Sequence, residues 1–276
     1  MEKTTKNKAL EKLELMNIKI GYPNKWREYK SELKSHYSYF KNNILCNMDD
    51  NMYMFKKLYQ KVDKDEWFMN PQDVNAYYSP QFNEIVFPAG ILQPPFFSMS
   101  YDNPTNFGGI GCIIGHELTH GFDDMGCKYD GYGKLHNWWT KTDLEKYIQR
   151  IDILKQQFSE YSIMGEKINT ELTLGENIAD LGGTTIALNG LKKYLTDNNM
   201  MDMDNSIKQF FSNYAVIWRS LNREEQIKQM VKIDPHSPPC FRVNGIVKNI
   251  DDFYRVFNIQ SNDTMYLKPS ERAKIW

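Results

Sequence analysis

The sequence predicts an α+β fold, mostly helical with a small antiparallel sheet. Apolar residues recur at helical spacing over several stretches of ten or more residues. Strand-type residues cluster only in Val74–Tyr78 and Asn83–Phe87, with Ser79-Pro80-Gln81-Phe82 as the turn between them. No internal repeat or low-complexity linker divides the 276 residues, of which 41% are hydrophobic and 25% charged, an ordinary balance for a globular protein.

Residues 6–17 carry a helical apolar pattern that ends before Gly21-Tyr22-Pro23. A second helix is predicted from Tyr37 to Val62, and its stripe of Phe40, Ile44, Met48, Met52 and Phe55 is read as core. After the two strands, Pro88, Pro94 and Pro95 make an irregular connector. A helix over 106–124 follows, then a turn at Asp130-Gly131-Tyr132-Gly133. Further helices are predicted over 141–161, over 173–195 despite Gly182-Gly183, near 206–218 and near 222–232. Asp234 to Asn249 reads as loop and short strand, and 251–257 as one short helix.

Composition excludes several classes of function. The net charge of −1 gives no pull toward nucleic acid or a membrane surface. No apolar run is long enough to span a bilayer. The start, Met1-Glu2-Lys3-Thr4-Thr5-Lys6, lacks a signal-peptide core, so a cytoplasmic location is expected. Cys46, Cys112, Cys127 and Cys240 form no Cys-x-x-Cys pair, and free thiols are expected.

The most specific signal is His116-Glu117-Leu118-Thr119-His120. On a helix, positions i and i+4 share a face one turn apart, so both imidazoles can bind one Zn²⁺. Glu117, turned about 100° from His116, sits beside the metal and can act on a water there. The bland alternative is an ordinary helix with a partly exposed histidine pair. Ile110, Cys112, Ile113, Ile114 and Leu118 argue against it, because buried imidazoles and a buried carboxylate need partners.

A catalytic zinc takes three protein ligands and keeps one position open. Glu176, in Gly175-Glu176-Asn177-Ile178-Ala179-Asp180, is the candidate third ligand, on a separate helix. Asp180 lies one turn after it and can accept a hydrogen bond from a ligand histidine. A solvated acidic face is the competing reading, and Ile178, Ala179 and Leu181 count against it. The sheet precedes the zinc helix, so an edge strand near the metal could pair with an extended peptide through Asn75 and Ala76. From spacing alone a plain structural hairpin is the better reading of that strand.

Together, Val74-Asn75-Ala76-Tyr77-Tyr78, Ile85–Phe97, Gly115–Asp124, Asn137-Trp138-Trp139, Leu174–Gly183 and Asp234-Pro235-His236-Ser237-Pro238 resemble the neprilysin and endothelin-converting-enzyme family of zinc metallopeptidases. The resemblance runs from about residue 8 to Trp276, and the ending Met265-Tyr266-Leu267 to Lys274-Ile275-Trp276 looks like the bacterial oligopeptidase branch. Animal members have a cysteine near this end, where this chain has Ala273.

The resemblance implies a thermolysin-like catalytic lobe that binds one Zn²⁺ and cleaves peptides. By position, it implies His116, His120 and Glu176 as zinc ligands, Glu117 as catalytic glutamate and Asp180 as the carboxylate orienting a ligand histidine. Asn75 and Ala76 match the strand that holds substrate backbone, His236 the oxyanion-stabilising histidine, and Arg242 an arginine on a substrate carbonyl. Ile91, Phe96, Cys112, Ile113 and Trp218 match the pocket for the residue after the scissile bond, implying a large hydrophobic preference. The expected organisation is one catalytic domain over 1–276, with 1–70 a helical lead-in and 71–276 the zinc core.

Family members are far longer, with a helical lobe before the catalytic part that closes over the site. This chain begins inside the region leading to the catalytic lobe, so the expectation is the catalytic lobe without that partner. A second reading follows: a zinc-binding but inactive lobe, acting as a scaffold or partner-binding module, with an exposed face for a partner lobe or for self-association. A purely structural zinc site is weaker, since such sites have four protein ligands and are often cysteine-rich.

Overall fold

The computed structural model describes residues 1–275; Trp276, which closes the last motif of the resemblance, lies outside the described residues. Helix α1 (Lys3–Glu14) leads into strand β1 (Asn17–Gly21). Helix α2 (Tyr39–Lys57) follows, then β2 (Tyr77–Ser79) and β3 (Glu84–Pro88).

The sheet is mixed where an antiparallel one is expected. β3 is central and wholly buried, β2 pairs with it antiparallel, and β1 pairs with it parallel. Sequence pattern missed β1 because its alternation is inverted. Ile18 and Ile20 are exposed, while Lys19 turns inward to Glu84, Nζ to Oε2 2.7 Å, and to the Glu66 carbonyl at 2.8 Å. The core stripe predicted on the second helix is also corrected: α2 has no buried residue, and Phe40, Met48 and Phe55 are 73%, 57% and 61% exposed.

The predicted zinc helix is three pieces. Helix α3 (Asn103–Asn106) runs into a π-helical turn (Phe107–Gly111) and then α4 (Cys112–His120). The amide of Ile110 leaves the helical ladder and donates to the Phe96 carbonyl at 2.7 Å, consistent with a ladder widened at that turn. Glycine is required there. A Cβ on Gly108 would lie 2.1 Å from the Phe210 carbonyl oxygen, and one on Gly109 2.3 Å from that of Phe96.

Helix α5 (Lys141–Ser159) and a two-stranded ribbon, β4 (Ser162–Ile163) with β5 (Glu166–Lys167), precede the long α6 (Leu174–Asp197). Helix α6 crosses α4 so closely that Gly115 faces Gly183 directly; a Cβ on Gly183 would sit 2.4 Å from the His116 amide nitrogen. Gly182-Gly183 therefore continues the helix and sets the distance between the two halves of the site. Gly183→Ala is expected to cost about 1–3 kcal/mol through overpacking and to lower Tm by several degrees. Calorimetry against Gly190→Ala, whose added Cβ would meet only the Phe107 ring at 3.1 Å, checks this. Equal stability of the two variants would refute it.

Helices α7 (Met203–Ile217), α8 (Glu224–Ile233), α9 (Pro239–Val247) and α10 (Asp251–Phe257) complete the chain. Helix α9 replaces the loop and short strand expected within 234–249. Proline at the first helical position costs nothing, because that amide has no partner in any helix. Gly245 is accommodated because its Cβ would lie 2.7 Å from the Phe158 ring. Phe210, Phe211, Ile178, Leu191 and Phe253 belong to the core around α6 and α7.

Candidate active site

Helix α4 places His116 and His120 one turn apart, and α6 brings Glu176 to them. One ligand atom from each of the three lies within 4.8 Å of the others. His116 Nε2 is 2.9 Å from His120 Nε2 and 3.2 Å from Glu176 Oε2, with His120 Nε2 3.6 Å from that oxygen.

The outer nitrogens define what this cluster binds. His116 Nδ1 donates to Asp180 Oδ1 at 2.8 Å, and His120 Nδ1 to Asp123 Oδ2 at 2.7 Å. An imidazole whose Nδ1 carries the proton presents a lone pair at Nε2. Two such lone pairs and the Glu176 Oε2 converge on one point. That arrangement asks for a cation.

Charge agrees. Burial opposes ionisation of Glu176, yet the His116 and His120 rings beside it hold its carboxyl far below the usual range. Burial likewise opposes a proton on His120, yet Asp123 and Glu176 raise its pKa well above the ordinary imidazole value. The site is built to hold positive charge at its centre. With a cation in place of that proton, two neutral imidazoles and one carboxylate, each imidazole oriented by a carboxylate behind it, would be the donor set of a three-ligand zinc centre.

Asp180 works in two directions. It is 3% exposed, holds His116, and takes a paired contact from Arg242, Nε to Oδ2 2.7 Å and Nη2 to Oδ1 2.8 Å. Burial opposes its charge, and Arg242 overcomes that, keeping its carboxyl low. Arg242 also lies 3.7 Å from the Trp218 ring. Two of its five N–H donors go to Asp180, so the guanidinium is first of all an ion-pair partner.

His236 sits in the loop before α9. Asp234 Oδ1 accepts from its Nδ1 at 2.7 Å and from its backbone amide at 2.9 Å, and its Nε2 is 3.3 Å from Glu176 Oε2. Ser237 donates to Asn177 Oδ1 at 2.8 Å, stitching that loop to α6 beside Glu176. Glu117 is buried, and burial raises its carboxyl pKa.

A cleft of about 610 Å³ opens over these groups, lined by Asn75, Ala76, Ile91, Phe96, Ile113, Trp218, Arg242, His236, Glu117 and the three ligands. Two predicted residues are not on its wall. Asp180 lies behind His116, and Cys112 is in the core, its Sγ turned back to the Phe107 carbonyl at 3.5 Å. Asn75 and Ala76 precede β2, whose ladder begins only at Tyr77. Sequence reasoning assigned no role to Asp123 or Asp234. Each had a local signal: aspartate three after a ligand histidine at a helix end, and aspartate two before His236, where a carboxylate caps the i+2 amide.

Fold and site together define a zinc centre of the His-Glu-x-x-His type, completed by a glutamate from a second helix. The profile of peptidase family M13 matches residues 75–273, and the chain belongs to that family. Human neprilysin is 38% identical over 292 residues, and the neutral endopeptidase of Lactobacillus helveticus 38% identical over 278. Both alignments take in 100% of this chain but only 39% and 42% of those proteins. Among solved structures, the Mycobacterium tuberculosis zinc metalloprotease Zmp1, crystallised with an inhibitor, superposes with a TM-score of 0.95 at 42% identity, over 100% of this chain and 43% of that one. The chain thus spans about two fifths of the length of these relatives. No described helix is long and apolar enough to cross a membrane.

Proposed function

We propose that this chain is a zinc-dependent metalloendopeptidase lobe that hydrolyses peptide bonds of oligopeptides, preferring a large hydrophobic residue after the scissile bond. The observation that carries this reading is the convergence of His116, His120 and Glu176 beside Glu117 in one cleft. When bound, zinc polarises the scissile carbonyl and lowers the pKa of a coordinated water to about 7 in well-characterised hydrolases.

The chain's residues do the rest. Glu117 takes a proton from the attacking water and delivers it to the leaving amine nitrogen. Its burial-raised pKa makes it a better base than an exposed glutamate. His236 has its Nδ1 committed to Asp234. Its Nε2, 3.3 Å from Glu176 Oε2, is the nitrogen left to donate to the carbonyl oxygen as negative charge develops. Arg242 uses donors not taken by Asp180 for a substrate carbonyl. Asn75 and Ala76 extend the edge of the sheet, where an extended peptide can add as a strand. Ile91, Phe96, Ile113 and Trp218 supply an apolar pocket beside the metal.

The filled, converging site favours this reading over an inactive scaffold. The uncovered stripe on α2 supports a second component of the proposal, a face for a partner lobe or self-association. The purified chain, with zinc quantified, is expected to cleave internally quenched peptides bearing Phe or Leu after the scissile bond faster than Ala analogues. A chelator should abolish that cleavage. Bound zinc without chelator-sensitive cleavage would favour the scaffold, and faster cleavage of Ala analogues would overturn the pocket assignment.

A further inference from the structure

Lys12 lies on α1, far in sequence from the metal centre and outside the residues that match the family profile. Its side chain is wholly buried. Nζ donates to three backbone carbonyls, Gly121 at 2.6 Å, Gly126 at 2.8 Å and Tyr129 at 2.8 Å. Three acceptors match the three N–H bonds of an ammonium. Burial pushes this amine down to about 8, so it still carries all three protons at neutral pH. The rings of Tyr78 and Phe122 flank it at 5.8 and 5.4 Å.

Those carbonyls enclose the loop that carries Asp123. Gly121 caps the end of α4, where a cation also meets the negative end of the helix. Asp123 Oδ1 accepts from the amides of Met125 at 2.8 Å and Gly126 at 2.6 Å, while its Oδ2 holds His120. Gly126 is shared, its N–H on Asp123 and its carbonyl on Lys12. There is no slack there, because a Cβ on Gly126 would lie 1.8 Å from the His120 carbonyl oxygen. The backbone of Lys12 is itself anchored by Asn83 Nδ2, which donates to the Lys12 carbonyl at 2.9 Å and to that of Gly131 at 3.1 Å.

We propose that Lys12 is a positioning residue of the zinc site: its ammonium fixes loop 121–129, and through Asp123 it sets the orientation of His120. The inference rests on the zinc reading above. Arginine cannot replace it, since a planar guanidinium spreads its donors where these three carbonyls converge. A neutral side chain leaves all three carbonyls buried without a donor.

The test compares wild type, Lys12→Met, Lys12→Arg, Asp123→Ala and the Lys12→Met/Asp123→Ala double variant. Zinc dissociation constants come from competition with a chromophoric chelator, corrected for the folded fraction by circular dichroism. The visible spectrum of the cobalt(II)-loaded chain reports ligand geometry. Both Lys12 variants are expected to bind zinc about 10–100-fold more weakly and to alter the cobalt spectrum. In the Asp123→Ala background Lys12→Met should add little. The proposal is overturned if Lys12→Met lowers Tm yet leaves the zinc constant and cobalt spectrum of the folded protein unchanged, or if the two losses multiply. Should Lys12→Met not fold, Lys12→Arg and its double with Asp123→Ala decide by the same criteria. If wild type takes up no zinc, or His116→Ala binds as well as wild type, the metal reading itself fails, and this proposal with it.

Discussion

Glu117→Gln is expected to leave zinc bound in full and to lower peptide turnover by at least about 10²–10⁴-fold, the usual share of a general acid–base. The amide has nearly the same shape as the carboxylate and fits the same buried position. It cannot accept the proton of an attacking water. The three ligands and their supports, Asp180 and Asp123, are untouched, so metal content should not change. Zinc analysis beside steady-state kinetics checks both halves. Cleavage at the wild-type rate would remove Glu117 from its role, and loss of zinc would show that it supports the metal instead.

Asp180→Ala should have the largest effect on stability. The carboxylate is the shared partner of two buried groups, Arg242 through two hydrogen bonds and His116 through one. Its removal leaves a guanidinium that is only 6% exposed without its counter-charge. Breaking a buried pair by removing one partner costs about 3–5 kcal/mol. His116 simultaneously loses the acceptor that fixes its tautomer, and zinc affinity should fall about 10–100-fold. Asp180→Asn keeps the shape and one acceptor oxygen and should fall between. Thermal unfolding of the zinc-free protein separates the first effect, and chelator competition the second. Wild-type behaviour in both would mean that this carboxylate is structurally and chemically idle.

The helices around the site were legible because their signals are local. The predicted helices over 106–124 and 173–195 carry apolar residues at helical spacing, and the histidine spacing describes one helix face. Legibility stopped where a partner distant in sequence decides. Nothing near Lys19 marks it as an inward-facing strand residue; Glu84, across the parallel pair, does that. Residue type did not show that Cys112, close in sequence to His116, is buried in the core with its Sγ toward the Phe107 carbonyl. The stripe on α2 is apolar by sequence, but periodicity says only that a face is apolar and not what covers it.

By itself the sequence marked His116 and His120 as a zinc pair with Glu117 beside it, offered Glu176 as the third ligand, and predicted a mostly helical frame, from residue type and helical spacing. The tertiary structure alone decided how these become one site. Gly115 and Gly183 let α4 and α6 meet, Asp180 couples Arg242 to His116, Asp234 holds His236, and a buried lysine from α1 grips the loop behind His120. Those contacts join residues tens of positions apart, and their strength comes from burial, which removes the water that would otherwise satisfy each group.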